Sequence, residues 1–266
     1  MFACIYSIYS GFDLQHKHLV DFFSLSERRD RDIFFSKILK SNDNIIVNSR
    51  DTKRNINKYF KKVKTKINVL PFCPFIDFNT KNLNKINIKK KDKYLITCNQ
   101  FWKHKNYETL LHAFKFLEDR NLNLVITGQV SNKNYDYYLY VKNLIKKLNL
   151  NNVKIFINLK KEEQINLLFN SIGLIQPSLY EGGPGGFSVY EAIAMGKPIL
   201  VSDIKVNKEI IYKKKLIFKK KNDKDLFKKI LHLTKMKSYT KRQFLKYSLY
   251  NKKKLGKYLF NLVKNI

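Results

Sequence analysis

The chain has 266 residues, 44% of them hydrophobic, and a formal net charge of +32 from 53 Lys and Arg against 21 Asp and Glu. That apolar content fills the core of one large domain or two modest ones and excludes a disordered chain. Cys4, Cys73 and Cys98 are far apart with no Cys-x-x-Cys pair, which excludes a disulfide framework or zinc ribbon, and no apolar run reaches the roughly 18 residues of a membrane-spanning helix. The start, MFACIYSIYSGF, lacks the basic stretch that opens a secretory signal, so a cytoplasmic protein is expected. The lysines are spread through almost every segment, which fits either a compositional bias or an adaptation to anionic membrane or nucleic acid.

In chain order, SERRDRDIFFSKILKSND has helical spacing at Ile33, Phe34, Ile38 and Leu39. NIIVNS reads as a buried strand and TKRNINKYFKKV as a helix, so residues 1–75 form a partial α/β domain. These residues are too few for a complete doubly wound domain of roughly 100–150, and an N-terminal truncation is expected. The segment INVLPFCPFIDFNTKNLNKINIKKKDK, with two prolines, several asparagines and a lysine run, suits an exposed connection; the boundary is placed near 71–92, with the linker at 76–92.

From residue 94, short β-branched runs alternate with helical stretches: YLITC, NYETLLHAFKFLED, LNLVIT, DYYLYVKNLIKKL, VKIFI, KEEQINLLFN, IGLIQPS, FSVYEAIAMG and PILVS. Repeated βα units imply a parallel sheet covered on both faces, a Rossmann-like doubly wound domain over 93–237. A helical segment, 238–266, ends the chain. There Leu255, Leu259, Leu262, Val263 and Ile266 share one face, as a docking helix or a membrane-surface helix would arrange them.

The chemistry concentrates in PSLYEGGPGGFSVYEAIAMGKPILVSD, Pro177 to Asp203, which runs from a strand end through a Gly-rich loop into a helix. Such a helix start offers unpaired N–H groups and a positive dipole end to a phosphate. Gly182, Gly183, Gly185 and Gly186 are expected to supply positive φ angles and close approach of the ligand, with Phe187 and Ser188 opening the helix. Glu181 and Glu191 flank the loop. A diphosphate repels carboxylates, but sugar hydroxyls donate to them, so the pair suggests a phosphate linked to sugars; Glu191 as a mere partner of the helix dipole is the bland alternative. A second element, CNQFWKHKNYETLLHAF, carries Gln100, Lys103, His104 and Lys105 after a strand, with Asn106 as the helix cap. Both loops leave the carboxyl edge of one sheet and face one crevice.

This pair of motifs resembles the family 4 glycosyltransferases of the GT-B architecture, from residue 94 to about 235, with a weaker match upstream. The resemblance implies that Lys105 neutralises the donor diphosphate, Glu181 contacts the transferred sugar and Glu191 holds the nucleotide ribose. Two features depart from the family pattern. Nine residues separate the glutamates, more than the usual seven, and Gln100 replaces a common arginine, leaving Lys105, helped by Lys103, as the main cation.

Upstream, GFDLQHKHLVDFF resembles an acceptor-side segment, with Asp13, Gln15 and His16 near the interdomain cleft. His16 and His18, two apart, would share a face on a strand; a cleft role, a structural role and, least of all, metal binding stand as alternatives.

The implied activity is retaining transfer of a sugar from a nucleotide-diphosphate donor to a glycan or lipid-linked hydroxyl acceptor, in cell-surface glycan synthesis. No metal or other cofactor is expected. Neither is a nucleic-acid partner, since Tyr135, Tyr137 and Tyr138 fit a helix packing face. Peripheral contact with an anionic membrane is allowed. A nucleotide-sugar-binding accessory protein without turnover is the rival reading.

Overall fold

In the computed structural model the described residues are 7–8, 13–41, 44–61, 64–76, 93–117, 121–184, 186–211, 216–238 and 240–264. The first unit pairs three parallel strands, β1 (Ser7–Ile8), β2 (Asn44–Val47) and β3 (Lys66–Val69), in the order β1-β2-β3. Helices α1 (Gln15–His18), α2 (Leu25–Lys40) and α3 (Arg50–Tyr59) connect them. Helix α2 starts on a reciprocal cap: the Ser24 hydroxyl accepts from the Glu27 N–H, and the Glu27 carboxylate accepts from the Ser24 N–H. Its buried stripe is Phe35, Ile38 and Leu39, which pack with Leu14, Ile45, Val47, Ile56 and Ile67. Ile33 and Phe34, expected in that stripe, are exposed, because Ile33 falls on the side of the helix away from Phe35, Ile38 and Leu39 and Phe34 on the edge of their face.

The second unit holds six strands, β4 (Tyr94–Cys98), β5 (Asn123–Gly128), β6 (Val153–Ile157), β7 (Gly173–Gln176), β8 (Ile199–Ser202) and β9 (Ile217–Phe218). Every pairing is parallel and the order is β6-β5-β4-β7-β8-β9. Helices α4 (Tyr107–Lys115), α5 (Tyr135–Lys147), α6 (Lys161–Asn170), α7 (Gly186–Ala194) and α8 (Asp223–Leu233) cover both faces. Alternation along the strands divides the core. Leu95, Leu124, Ile126, Ile175 and Leu200 meet α4 and α8 on one side. Ile96, Val125, Leu174 and Val201 meet Ile165 and Leu168 of α6 and Val189 and Ala192 of α7 on the other. Each such side chain contributes roughly 1.5–3 kcal/mol by leaving water. Successive strands step from β4 out to β6 and then return to β7 beside β4. The chain therefore reverses direction between β4 and β7, the place where doubly wound sheets open a crevice.

Helix α9 (Lys241–Lys264) buries Phe244, Ser248 and Asn251, with Leu255, Tyr258, Leu259 and Leu262 half-buried. It docks on both units: Asn251 donates to the Pro74 carbonyl at 2.9 Å, Ser248 accepts from the Ile76 N–H at 2.7 Å, the Tyr258 hydroxyl donates to the Val69 carbonyl at 2.7 Å, and the Phe244 ring meets that of Phe169 on α6 edge to face. Of the two arrangements expected for the Leu255–Leu259–Leu262 face, it takes the docking one, with the Val263 side chain and Ile266 outside the described residues. One expectation changes. Residues 71–76 are pinned rather than exposed, because their carbonyl and N–H groups find partners on α9; Ile67–Val69 of the expected connection is strand β3. Residues 77–92 lie outside the described residues.

The units also meet at their crevice. Glu209 accepts from the N–H groups of Arg50 and Asp51 at 2.9 and 2.6 Å, Thr52 donates to the Gly182 carbonyl at 2.5 Å, and the rings of His18 and Tyr180 stack 5.0 Å apart. No described helix is long and apolar enough to cross a membrane.

Candidate functional site

The site forms at the carboxyl tips of β4 and β7. After β4, Lys103–Lys105 make one tight turn, with the Lys105 N–H donating to the Trp102 carbonyl. Asn106 then takes a left-handed conformation at φ 55°. Its side chain does not cap α4, as the sequence suggested. It donates instead to the Pro177 carbonyl at 3.0 Å and accepts from the Thr109 hydroxyl at 2.9 Å. The Leu179 N–H donates to the His104 carbonyl at 2.7 Å. These cross-links tie the β4 turn to the segment after β7 and fix Lys105 opposite Glu181.

Lys105 Nζ lies 2.6 Å from Glu181 Oε1, and Gln176 donates to the same oxygen at 3.2 Å. Asn99 in turn donates to Gln176 at 2.6 Å, which completes a polar chain across the two strand tips. Burial, the largest single influence, pushes the Glu181 carboxyl up, but the charge of Lys105 and its hydrogen bond, together with the smaller surrounding contributions, outweigh it and the net shift is downward. Burial, reinforced by Lys105, drives the His104 ring down to about 4, so it is neutral at pH 7.

A cavity of about 510 Å³ opens over these groups. Of the residues singled out from sequence, Gln100, Lys105, Glu181, Gly186, Phe187, Ser188 and Glu191 line it. The start of α7 therefore faces the cavity with Lys105 on one side and Glu191 on the other. Gly186 sits at φ +65°, a conformation natural to glycine, with Glu181 Oε2 only 3.6 Å from where a Cβ would stand. Glu191, in the second turn of α7, is held by Lys161 Nζ at 2.5 Å from Oε1, and its Oε2 is buried with no hydrogen-bond partner.

Several expectations are corrected. Gly182 and Gly183 do not take positive φ. Gly183 is small because a Cβ there would fall 2.4 Å from Asn48 Nδ2, so it accommodates the first unit rather than a ligand. Gly185 lies outside the described residues. Lys103 is not a lining residue; its Nζ stands 5.0 Å over the Phe22 ring. The second lysine of the cavity is Lys161. His16 and His18 lie on helix α1, not on a strand. His16 is buried with both ring nitrogens engaged, Nε2 with Asp32 at 2.9 Å and Nδ1 accepting from Arg31 at 3.2 Å, so it is a scaffold residue rather than a cleft ligand. Desolvation lowers its pKa further. Asp13 does not line the cavity. Burial raises its carboxyl, Gln15 and Arg31 oppose that, and the charge of Glu181 adds to the rise.

Asn99, Thr127, Gly128, Gln129, Leu159, Lys161, Gln164 and Gln176 also line the cavity and were not singled out from sequence. Most could have been found by taking the residues at or just after each strand's carboxyl end. Lys161 carries no such signal in a chain with so many lysines.

The family model for glycosyl transferases group 1 matches residues 78–250. The O-antigen chain mannosyltransferase RfbU of Salmonella typhimurium is 24% identical over 185 residues, covering 67% of this chain and 48% of that one. An uncharacterized glycosyltransferase of Methanocaldococcus jannaschii is 29% identical over 201 residues, covering 73% and 48%. The chain thus spans about half the length of the curated relatives it matches. Among solved structures, sucrose-phosphate synthase from Thermosynechococcus elongatus superposes with a TM-score of 0.76 at 16% identity, over 98% of this chain and 67% of that one. Anabaena HepE in complex with UDP and glucose gives 0.74 at 13% identity, over 98% and 71%. These likenesses establish the GT-B type of α/β fold. The family match spans the β4 turn, the Gly-rich loop and helix α7, and the chain belongs to the group 1 glycosyl transferases.

Proposed function

We propose that the chain binds a nucleoside diphosphate sugar in this cavity and transfers the sugar to a hydroxyl with retention of anomeric configuration, as a family 4 enzyme. The observation that carries this reading is the convergence, on one cavity, of Lys105, the N-terminal N–H groups of α7, Glu181 and Glu191. The diphosphate lies against Lys105 and the start of α7, where charge and dipole favour an anion. Glu191 accepts from the ribose through its unpartnered oxygen. Glu181, fixed by Lys105 and Gln176, accepts from hydroxyls of the transferred sugar.

In the reaction the bond from the anomeric carbon to the β-phosphate oxygen breaks. The acceptor oxygen forms its bond on the same face of the sugar, and the acceptor proton passes to the departing phosphate. Lys105 and the α7 amides stabilise the charge that develops on that phosphate. No metal enters this scheme, since those groups supply the counter-charge. Asp13 stands on the acceptor side.

The kinship to an O-antigen chain mannosyltransferase supports a glycan or lipid-linked acceptor and a role in cell-surface glycan synthesis. We place the protein in the cytoplasm, at the inner face of an anionic membrane. Helix α9 supports that placement: it has no Asp or Glu, and its outer face exposes Leu245, Leu249 and Phe260 between Arg242, Lys246, Lys253 and Lys257 on one flank and Lys252 on the other.

The test is transfer in the presence of EDTA from α-linked uridine, guanosine and adenosine diphosphate sugars, with the product's anomeric configuration read by proton NMR. An α-linked product is expected; a β-linked product would refute retention, and no turnover with any donor would refute transfer by this chain.

A further inference from the structure

Lys161 opens helix α6, an unfavourable place for a cation, because the helix dipole puts positive charge there. Its compensation comes from another helix. Nζ lies 2.5 Å from Glu191 Oε1 on α7, with the lysine side chain 55% exposed and the glutamate 11%. The acids of its own first turn are Glu162 and Glu163, and Glu163 is committed to the Lys160 N–H at 2.8 Å.

The described charged residues lining the cavity are Lys105, Lys161, Glu181 and Glu191. They pair as Lys105 with Glu181 and Lys161 with Glu191, so their charges cancel. Without Lys161 the cavity would present one uncompensated carboxylate to a ligand that carries two phosphates. Glu191 would also lose the contact that fixes its Oε1 while Oε2 stays unpartnered.

We infer that Lys161 is a positioning residue for the nucleotide. It holds Glu191 by one oxygen, leaves the other for a ribose hydroxyl, and offsets the charge that would repel the diphosphate. The inference rests on the donor-site reading above and adds to it a residue on α6, outside both loop motifs. As a half-exposed ion pair, the contact adds little to folding stability. Its effect lies in ligand geometry.

The experiment is calorimetric titration of the wild-type chain, Lys161→Met and Lys161→Arg with UDP, GDP and ADP and with their 2′-deoxy counterparts. In the wild type, the ribonucleotide of the accepted base is expected to bind about tenfold or more tightly than its deoxy form, the worth of one hydrogen bond to a charged acceptor. In Lys161→Met that preference falls towards parity and the ribonucleotide weakens, while Lys161→Arg retains it. A Lys161→Met chain that keeps the wild-type ratio overturns the inference and leaves the donor site standing. A wild-type chain that binds none of the six nucleotides overturns the donor-site reading and the inference with it. Thermal midpoints measured alongside distinguish a folding defect, which would weaken both nucleotide forms equally and count against the inference.

Discussion

Lys105 Nζ and Glu181 Oε1 stand 2.6 Å apart with side chains only 13% and 9% exposed, so the site's main cation and one of its two cavity glutamates are held as a nearly buried ion pair. The pair joins the loop after β4 to the loop after β7. Removing one member strands the other charge in a poorly solvated place. Lys105→Met is expected to cost about 3–5 kcal/mol in urea unfolding, whereas Lys105→Met/Glu181→Gln recovers most of that stability without recovering nucleotide binding. The carboxyl of Glu181 is shifted down in the folded state, so its contribution is full above its ordinary value near 4.5 and is lost as pH falls through the lower folded value. The double variant should lack that acid limb.

Glu209 caps a helix of the other unit, its two oxygens receiving the N–H groups of Arg50 and Asp51. Charge-assisted capping of this type is worth about 1–2 kcal/mol. Glu209→Ala is expected to lower the unfolding free energy by that amount and to speed amide exchange at Arg50–Thr52. Unchanged exchange there would show that the first turn of α3 does not depend on this bridge between the units.

His104 titrates in the opposite sense from a stabilising cation. Burial lowers its folded pKa from 6.5 to about 4, with Lys105 adding to the drop. The unfolded chain therefore binds a proton that the folded chain refuses, and stability falls as pH drops from about 6.5 to about 4. His16 and His18 are shifted the same way by burial and add to the slope. His104→Gln is expected to flatten this slope by an amount on the order of 1–3 kcal/mol across the window, measured by urea midpoints at half-unit pH intervals.

The elements of the second unit were largely legible because each buried strand is a β-branched run and each helix is a longer amphipathic stretch, as YLITC and NYETLLHAFK illustrate. The short strand Ile217–Phe218 and helix Asp223–Leu233 were not anticipated individually. The two loop motifs were legible because glycine, glutamate and lysine cluster at strand ends. What escaped the sequence were contacts made across elements. Lys161 reaches Glu191 from a different helix, Lys103 turns to Phe22, and Gly183 is small because of Asn48 in the other unit. His16 likewise looked available until Asp32 and Arg31, a helix away, were seen to occupy both its nitrogens.

Whole-chain charge and the face of α9 make separable contributions to membrane contact. Leu245→Ser/Leu249→Ser/Phe260→Ser keeps the charge and removes the apolar row, so it is expected to reduce partitioning onto phosphatidylserine-containing vesicles at 0.15 M salt, where simple attraction is screened beyond about 8 Å. Replacing three exposed lysines of α5, Lys142, Lys146 and Lys147, with glutamine serves as the charge control and should matter less. Equal losses in the two variants would assign any membrane contact to bulk charge.

The donor site is tested most directly by calorimetric titration of the accepted nucleoside diphosphate into the wild-type chain, Lys105→Ala and Glu191→Ala. Binding by the wild type and a loss of about tenfold or more in each variant are expected, one charge-assisted contact being worth roughly 1.5–3 kcal/mol. Unchanged affinity in both variants would contradict the placement of the nucleotide in this cavity.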